Sequence, residues 1–214
     1  MESENLNRRW HTKNCQVVFR ESRQNQRNQG SGIVGILRID GGFLKGRYIK
    51  FPDFKDVRPI TSYIKKAVFD ILGDIKGFYF ADVFCGSGIF GIEAISRGAE
   101  KVIFVERSKT LCKSILENLV DLGIESRGEI FCTDAENFFQ KNDRVFDVVF
   151  VDPPFRQKLS DHLMEKIAGS YKVLVIRRHK STMAQDINLM NSFFGGASDK
   201  RIYSDSVIYF FFRS

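Results

Sequence analysis

The chain has 214 residues, 43% of them hydrophobic and 28% charged, and its 33 Lys and Arg against 26 Asp and Glu give a net charge of +7. These values fit a globular chain of one domain, or one domain with an appendage, and they exclude collagen-like, coiled-coil and disulfide-scaffold chains. The longest apolar run, residues 207–212, is far short of the about 20 that cross a bilayer. The start lacks the basic and apolar segments of a secretory signal, so a cytoplasmic protein without a membrane is expected.

Residues 1–30 are rich in Asn, Gln and Arg and poor in apolar surface. They read as a basic, flexible tail, either an arm for RNA or a segment without consequence. Residues 33–39 and 43–49 are two β-prone runs around Asp40-Gly41-Gly42 and predict a hairpin, with glycines accepting the positive φ of the turn. Residues 62–72 predict a helix, because Ile64, Ala67, Val68, Ile71 and Leu72 recur at helical spacing. Arg58-Pro59 marks its approach and Thr61 or Ser62 its cap.

From residue 78 strands and helices alternate. Strands are expected at 78–84, 101–106, 129–132, 145–151 and 172–177, and helices at 89–97, 109–122, 135–140 and 159–169. The strands are nearly continuous apolar runs, as when helices cover both faces of a sheet. The fold class is therefore α/β, a doubly wound, mostly parallel sheet. Two last strands, 200–203 and 206–213, predict an antiparallel hairpin at one edge. The chain divides into a tail (1–30), a hairpin and helix extension (31–72) and the main domain (73–214).

Cys15, Cys85, Cys112 and Cys132 form no C-x-x-C and have no His at zinc-ligand spacing. They read as reduced thiols, and no metal is expected. His11, His162 and His179 are scattered, which gives a His-centred active site little support.

Asp82-Val83-Phe84-Cys85-Gly86-Ser87-Gly88-Ile89-Phe90-Gly91 follows a strand and opens a helix, and Gly86, Gly88 and Gly91 match G-x-G-x-x-G. Small residues permit a tight turn and close ligand approach, while Glu106, ending the next strand, suits ribose hydroxyls. The pattern points to a cofactor containing a nucleoside. Two acids favour S-adenosylmethionine over a nicotinamide. A carboxylate at Asp82 suits the amino group of a methionine moiety and would repel a pyrophosphate. Asp134 can accept from an adenine amino group, or cap the following helix, or do both.

Asp152-Pro153-Pro154-Phe155 holds two of the chain's four prolines and follows the fourth strand of the alternating region. The prolines end that strand and remove two backbone donors. The Asp152 carboxylate and Pro153 carbonyl then both present acceptors to an amino group, and Phe155 offers a flat face to a base. That set suits methylation of an exocyclic amine, whose lone pair is delocalised into its ring. Positioning for in-line attack would carry much of the rate.

At these residues the sequence resembles the bacterial methyltransferases that modify a guanine N2 in small-subunit (16S) ribosomal RNA. The resemblance runs over about residues 33–213 and includes the Gly-Gly hairpin, Arg58-Pro59 with Thr61, Asp82 to Gly91 continuing to Ser96-Arg97-Gly98-Ala99, Val105-Glu106, and Asp152 to Phe155. It implies a seven-stranded methyltransferase fold and a preassembled ribosomal substrate. Asp82, Phe84, Gly86, Ser87, Gly88, Glu106, Arg107, Asp134 and Ala135 would hold S-adenosylmethionine, and Asp152, Pro153, Pro154 and Phe155 the target base. The family usually has a hydroxyl residue where Ile60 stands, and often acids near Lys66 and Arg177, so the substrate side of this chain is different.

The excess of positive charge suits a polyanion. Phosphate contacts are expected from Arg38, Lys45, Arg47, Lys50, Arg58, Lys65 and Arg156, with 16S ribosomal RNA in an assembling small subunit as partner and a monomer as enzyme. The rival functions are an adenine-N6 methyltransferase on RNA or DNA and a non-catalytic RNA-binding assembly factor. A nicotinamide oxidoreductase leaves Asp152 to Phe155 without a role.

Overall fold

The computed structural model describes residues 33–52, 60–155 and 157–213. The tail 1–30, Arg58-Pro59 and Arg156 lie outside the described residues.

Two strands, β1 (Ile33–Arg38) and β2 (Tyr48–Pro52), form an antiparallel ribbon. Helix α1 (Ser62–Leu72) follows, with the Thr61 side chain accepting from the Ile64 amide at its start. The main sheet is built from β3 (Tyr79–Val83), β4 (Lys101–Glu106), β5 (Gly128–Cys132), β6 (Phe146–Val151), β7 (Tyr171–His179), β8 (Asp199–Tyr203) and β9 (Ser206–Phe212). Its order is β5-β4-β3-β6-β7-β9-β8, parallel except where β9 joins β7 and β8. This is the seven-stranded, mostly parallel methyltransferase sheet that was expected.

The helices between strands are α2 (Ile89–Ser96), α3 (Lys109–Asp121), α4 (Ala135–Gln140) and α5 (Asp161–Ala168). A further helix, α6 (Met183–Phe194), lies where the sequence reading placed no element; it ends at Gly195, whose φ of 72° stops the helix. The inner strands are buried on both faces by their two sets of alternate residues, whereas the edge strand β8 is largely exposed. Phe80, Val102, Phe104, Val148 and Phe150 face α1, α2, α3 and the ribbon, whereas Ala81, Val83, Ile103, Val105, Val149 and Val151 face α4, α5 and α6. Phe69 of α1, Phe90 of α2 and Phe150 of β6 stack in series, with centroids 4.8 and 3.7 Å apart. This column ties the N-terminal extension to the sheet.

The hairpin differs from its prediction. Residues 43–46 form turns rather than a strand, and pairing resumes only at Tyr48 opposite Arg38. The end of α2 is the cause. Its last carbonyls need donors, and the Phe43 amide supplies one to Ser96 O at 2.8 Å. The Ser96 hydroxyl in turn accepts from the Leu44 amide and donates to Gly41 O. A β-carbon on Gly42, whose φ is 75°, would sit 1.7 Å from Ser96 O, so the second glycine serves this docking as well as the turn.

Lys65 also differs from its prediction. It is only 2% exposed and bridges Glu93, itself fully buried, at 2.7 Å and Asp40 at 2.8 Å, while donating to Arg38 O. A lysine held in this way is unavailable to phosphate. It lies on the buried stripe of α1, with Ile64 and Val68, and locks the ribbon to α1 and α2.

Candidate active site

The chain runs β3, β4, β5 outward on one side and then crosses to place β6 on the other side of β3. This reversal leaves a crevice beyond the carboxyl ends of β3, β4 and β6, where ligands of open α/β sheets bind. A cavity of about 590 Å³ opens there. It brings together Asp82, Phe84, Gly86, Ser87, Glu106, Arg107, Asp134 and Ala135 with Asp152, Pro153, Pro154 and Phe155. Ile60, Glu136, Lys158 and Arg177 line it too.

Local geometry explains the glycine loop. Gly86 and Gly88 have φ of 54° and 74°, values that L side chains adopt at a cost. Gly91 has a different reason: a β-carbon there would lie 2.4 Å from the Phe104 ring, so glycine lets α2 close on β4. Phe84, without that freedom, holds a φ of 59° at the lip of the cavity. Backbone held in a sparsely populated region commonly marks a functional site.

Asp82 ends β3 and accepts the Gly91 amide at 2.9 Å, inside the first turn of α2. It is 2% exposed, and burial, with added repulsion from Asp152 and Glu106, pushes its carboxyl up to about 8 despite that hydrogen bond. Glu106 accepts from the Gly86 amide at 3.1 Å and the Ser108 amide at 2.9 Å, which fixes the loop against the end of β4. Asp134 caps α4 by accepting the Asn137 amide at 2.8 Å, and its hydrogen bonds to the Asn137 amide and side chain hold it below the usual carboxylate range against a smaller burial effect. Both of its expected roles are thus open to it, since the capping residue also lines the cavity.

Asp152 follows β6 directly, its amide bonded to Val83 O at 3.1 Å. Burial raises its carboxyl, opposed by Arg177 and then Arg178. Arg177 Nη1 meets Asp152 Oδ2 at 2.9 Å. Phe155 lies 4.9 Å from the His179 ring and 5.5 Å from the Arg177 guanidinium. Sequence reasoning noticed Arg177 as a departure and missed this contact, because β7 meets β6 only through the sheet register, which pairs Val151 with Ile176.

The cationic residues expected at RNA are dispersed. Arg38, Lys45, Arg47 and Lys50 are exposed on the ribbon and its connection. Arg47 reaches the Asp121 carbonyl at the last residue of α3, whereas α3 starts beside the cavity; a helix of 13 residues puts the two ends roughly 20 Å apart. The tip of the ribbon, with Lys45 and Arg47, is therefore at the other end of the molecule from the cavity. The Lys50 backbone pairs with the Asn118 side chain in the last turn of α3. Lys66 points outward and pairs with Asp70.

The lining fits S-adenosylmethionine. Three carboxylates, Asp82, Glu106 and Asp152, face one cavity, and the last two add to the cost of ionising Asp82, an arrangement that a cationic ligand relieves. Asp82 would hold the amino group, Glu106 the ribose and Asp134 the adenine edge. Among the described residues no group of three or more His, Cys, Asp or Glu is placed to hold a metal, and no helix is long and apolar enough to cross a membrane.

Comparison with known proteins agrees with this geometry. Residues 37–193 match the family described as "Conserved hypothetical protein 95". The chain is 33% identical over 142 residues to YlbH of Bacillus subtilis, covering 64% of this chain and 77% of that one. It is 34% identical over 137 residues to the ribosomal RNA small subunit methyltransferase D of Haemophilus influenzae, covering 62% and 71%. The structure of yhhF from Escherichia coli superimposes with a TM-score of 0.69 at 21% identity, over 84% of this chain and 99% of that one. The chain belongs to the "Conserved hypothetical protein 95" family, is homologous to bacterial ribosomal RNA small subunit methyltransferase D, and is an S-adenosylmethionine-dependent methyltransferase.

Proposed function

We propose that this enzyme methylates the exocyclic N2 of a guanine in small-subunit ribosomal RNA. The observation that carries the reading is the placement of Asp152 to Phe155 at the end of β6, in the same cavity as Asp82 and Glu106. Homology to proteins named ribosomal RNA small subunit methyltransferase D supplies the substrate class.

S-adenosylmethionine supplies a methyl group already bonded to a good leaving group. What remains for the protein is to make a poor nucleophile attack in line. The Asp152 carboxylate and the Pro153 carbonyl accept the two amine hydrogens, which favours the pyramidal nitrogen whose lone pair is free. Phe155 stacks on the extruded base and offsets part of the cost of unstacking, at about 1–3 kcal/mol per stacked base. The Asp152 carboxyl, raised by burial, is a better acceptor for the surplus proton than a solvated one. Exposed Arg38, Lys45, Arg47 and Lys50 then meet phosphates away from the cavity, which suits a substrate much larger than one nucleotide.

The test is methyl transfer from labelled S-adenosylmethionine to small subunits lacking the modification, followed by nucleoside analysis. Labelled N2-methylguanosine that is lost in Asp152→Ala, with cofactor binding retained, is the expected result. Labelled N6-methyladenosine would replace guanine by adenine. Assembly effects that need the protein but not Asp152 would overturn the enzymatic reading in favour of a binding role.

A further inference from the structure

We infer that Arg177 is a positioning residue for the methyl-accepting amine, acting through Asp152 and Phe155. The inference rests on the reading of those two residues as the clamp on an exocyclic amine.

Arg177 sits in β7, between β6 and β9, and its side chain is 4% exposed. Its guanidinium makes three contacts on two segments, the Asp152–Phe155 turn and β9. Nη1 donates to Asp152 Oδ2 at 2.9 Å, Nε donates to the Ser206 hydroxyl at 3.3 Å, and the guanidinium carbon lies 5.5 Å from the centre of the Phe155 ring. Ser206 is fully buried at the start of β9. A guanidinium is planar and rigid, so anchoring Nε on one strand fixes where Nη1 points on the other. The carboxylate of Asp152 is thereby held through Oδ2, and in this reading Oδ1 is the oxygen that accepts from the amine. The same plane backs Phe155, so the acceptor and the stacking face are set relative to one another before a base arrives. Such preorganisation is worth rate, because a small misplacement of a near-attack geometry is costly.

The charges around Asp152 come from every packed element: Arg177 and Arg178 on β7, Asp82 on β3, and Glu106 across the cavity on β4, with His179 against Phe155. Arg177 is the largest influence opposing the effect of burial on this carboxyl. Without it, burial is countered by Arg178 alone among these groups, and the carboxyl spends more of its time protonated, when one of its oxygens no longer accepts.

The test compares Arg177→Met and Arg177→Lys with the wild type by two readouts. The first is the pH titration of the Asp152 carboxyl carbon by NMR, assigned through its loss in Asp152→Asn. The second is methyl transfer to unmodified small subunits as a function of pH, with cofactor affinity as the check on folding. Arg177→Met should move the Asp152 titration up. Its kcat should fall roughly tenfold or more with cofactor affinity kept, and the acid limb of its rate profile should move up with the titration. Arg177→Lys, which keeps the charge and the fold, should return the titration most of the way and leave kcat low, because a point charge cannot hold both Asp152 and Ser206 in one plane. An unmoved titration overturns the inference. So does a kcat at or above wild type, which would make the contact a plug that substrate must displace. A moved titration in an enzyme that methylates no nucleobase amine would sink the amine reading and leave the coupling of Arg177 to Asp152 standing.

Discussion

Cofactor binding should be coupled to the ionisation of Asp82. In the free protein this carboxyl titrates at about 8, because it is buried beside Asp152 and Glu106. A ligand ammonium group favours the ionised form, so binding must first remove the proton. The folded value lies above that of a solvated aspartate, so the free site is mostly protonated at neutral pH. At about pH 7 roughly 0.9 proton should leave for each cofactor bound. Below about pH 7.5 each unit of acidification should weaken binding about tenfold, or about 100-fold and 2.7 kcal/mol from about pH 7.5 to 5.5. Above about pH 8 the ligand's own amino group begins to titrate, so the acid limb is the diagnostic region. Isothermal titration calorimetry in buffers of different ionisation heat measures both quantities. Asp82→Asn should bind weakly at every pH and lose most of the slope. An affinity that is flat between about pH 5.5 and 7.5 in the wild type, with no proton released, would refute the assignment of Asp82 to the ligand cation. By the same sign, the cofactor-free protein should lose stability as pH rises from about 4 toward 8, because the folded state holds this proton more tightly than the unfolded chain.

Glu93→Gln should cost roughly 3–5 kcal/mol in chemical denaturation, since it leaves Lys65 buried with only Asp40 as counter-charge; a loss under about 1 kcal/mol would mean that Asp40 alone balances it. Gly42→Ala should detach the ribbon from the end of α2, seen as faster amide exchange at Phe43 and Leu44, because its β-carbon would collide with Ser96 O. Phe155→Ala should reduce kcat/KM for the RNA substrate by roughly 5- to 150-fold, the equivalent of one stacked base, and leave cofactor affinity unchanged; an equal loss in cofactor affinity would place the ring at the cofactor instead. RNA affinity should fall steeply as salt rises, and Arg38→Gln with Lys50→Gln should flatten that slope.

Patterns confined to one segment were legible in the sequence. The alternation of apolar strands with helices, the three glycines from the β3–α2 loop into the first turn of α2, Glu106 at the end of β4 and Asp152 to Phe155 at the end of β6 each depend on residues a few positions apart. The backbone conformations they demand are local, and so the parallel sheet and its cofactor crevice could be read before any contact was known. Thr61 as the cap of α1 belongs to the same class.

What required the tertiary structure is what joins distant segments. Lys65 looks like a surface cation until Glu93 and Asp40 are brought against it, because burial of a charge is decided by a partner 28 residues away. The hairpin loses its short turn to the orphan carbonyls of α2, a demand made by another element. Arg47 is separated from the cavity by the length of α3, which no linear spacing reveals. Arg177 reaches Asp152 only because β7 lies beside β6 in register, and Ser206 joins them only because β9 inserts antiparallel between β7 and β8. Sequence alone determined which chemistry the strand ends carry; the order of the strands decided which of those ends share a pocket, since non-local contacts follow from how the sheet closes on its core.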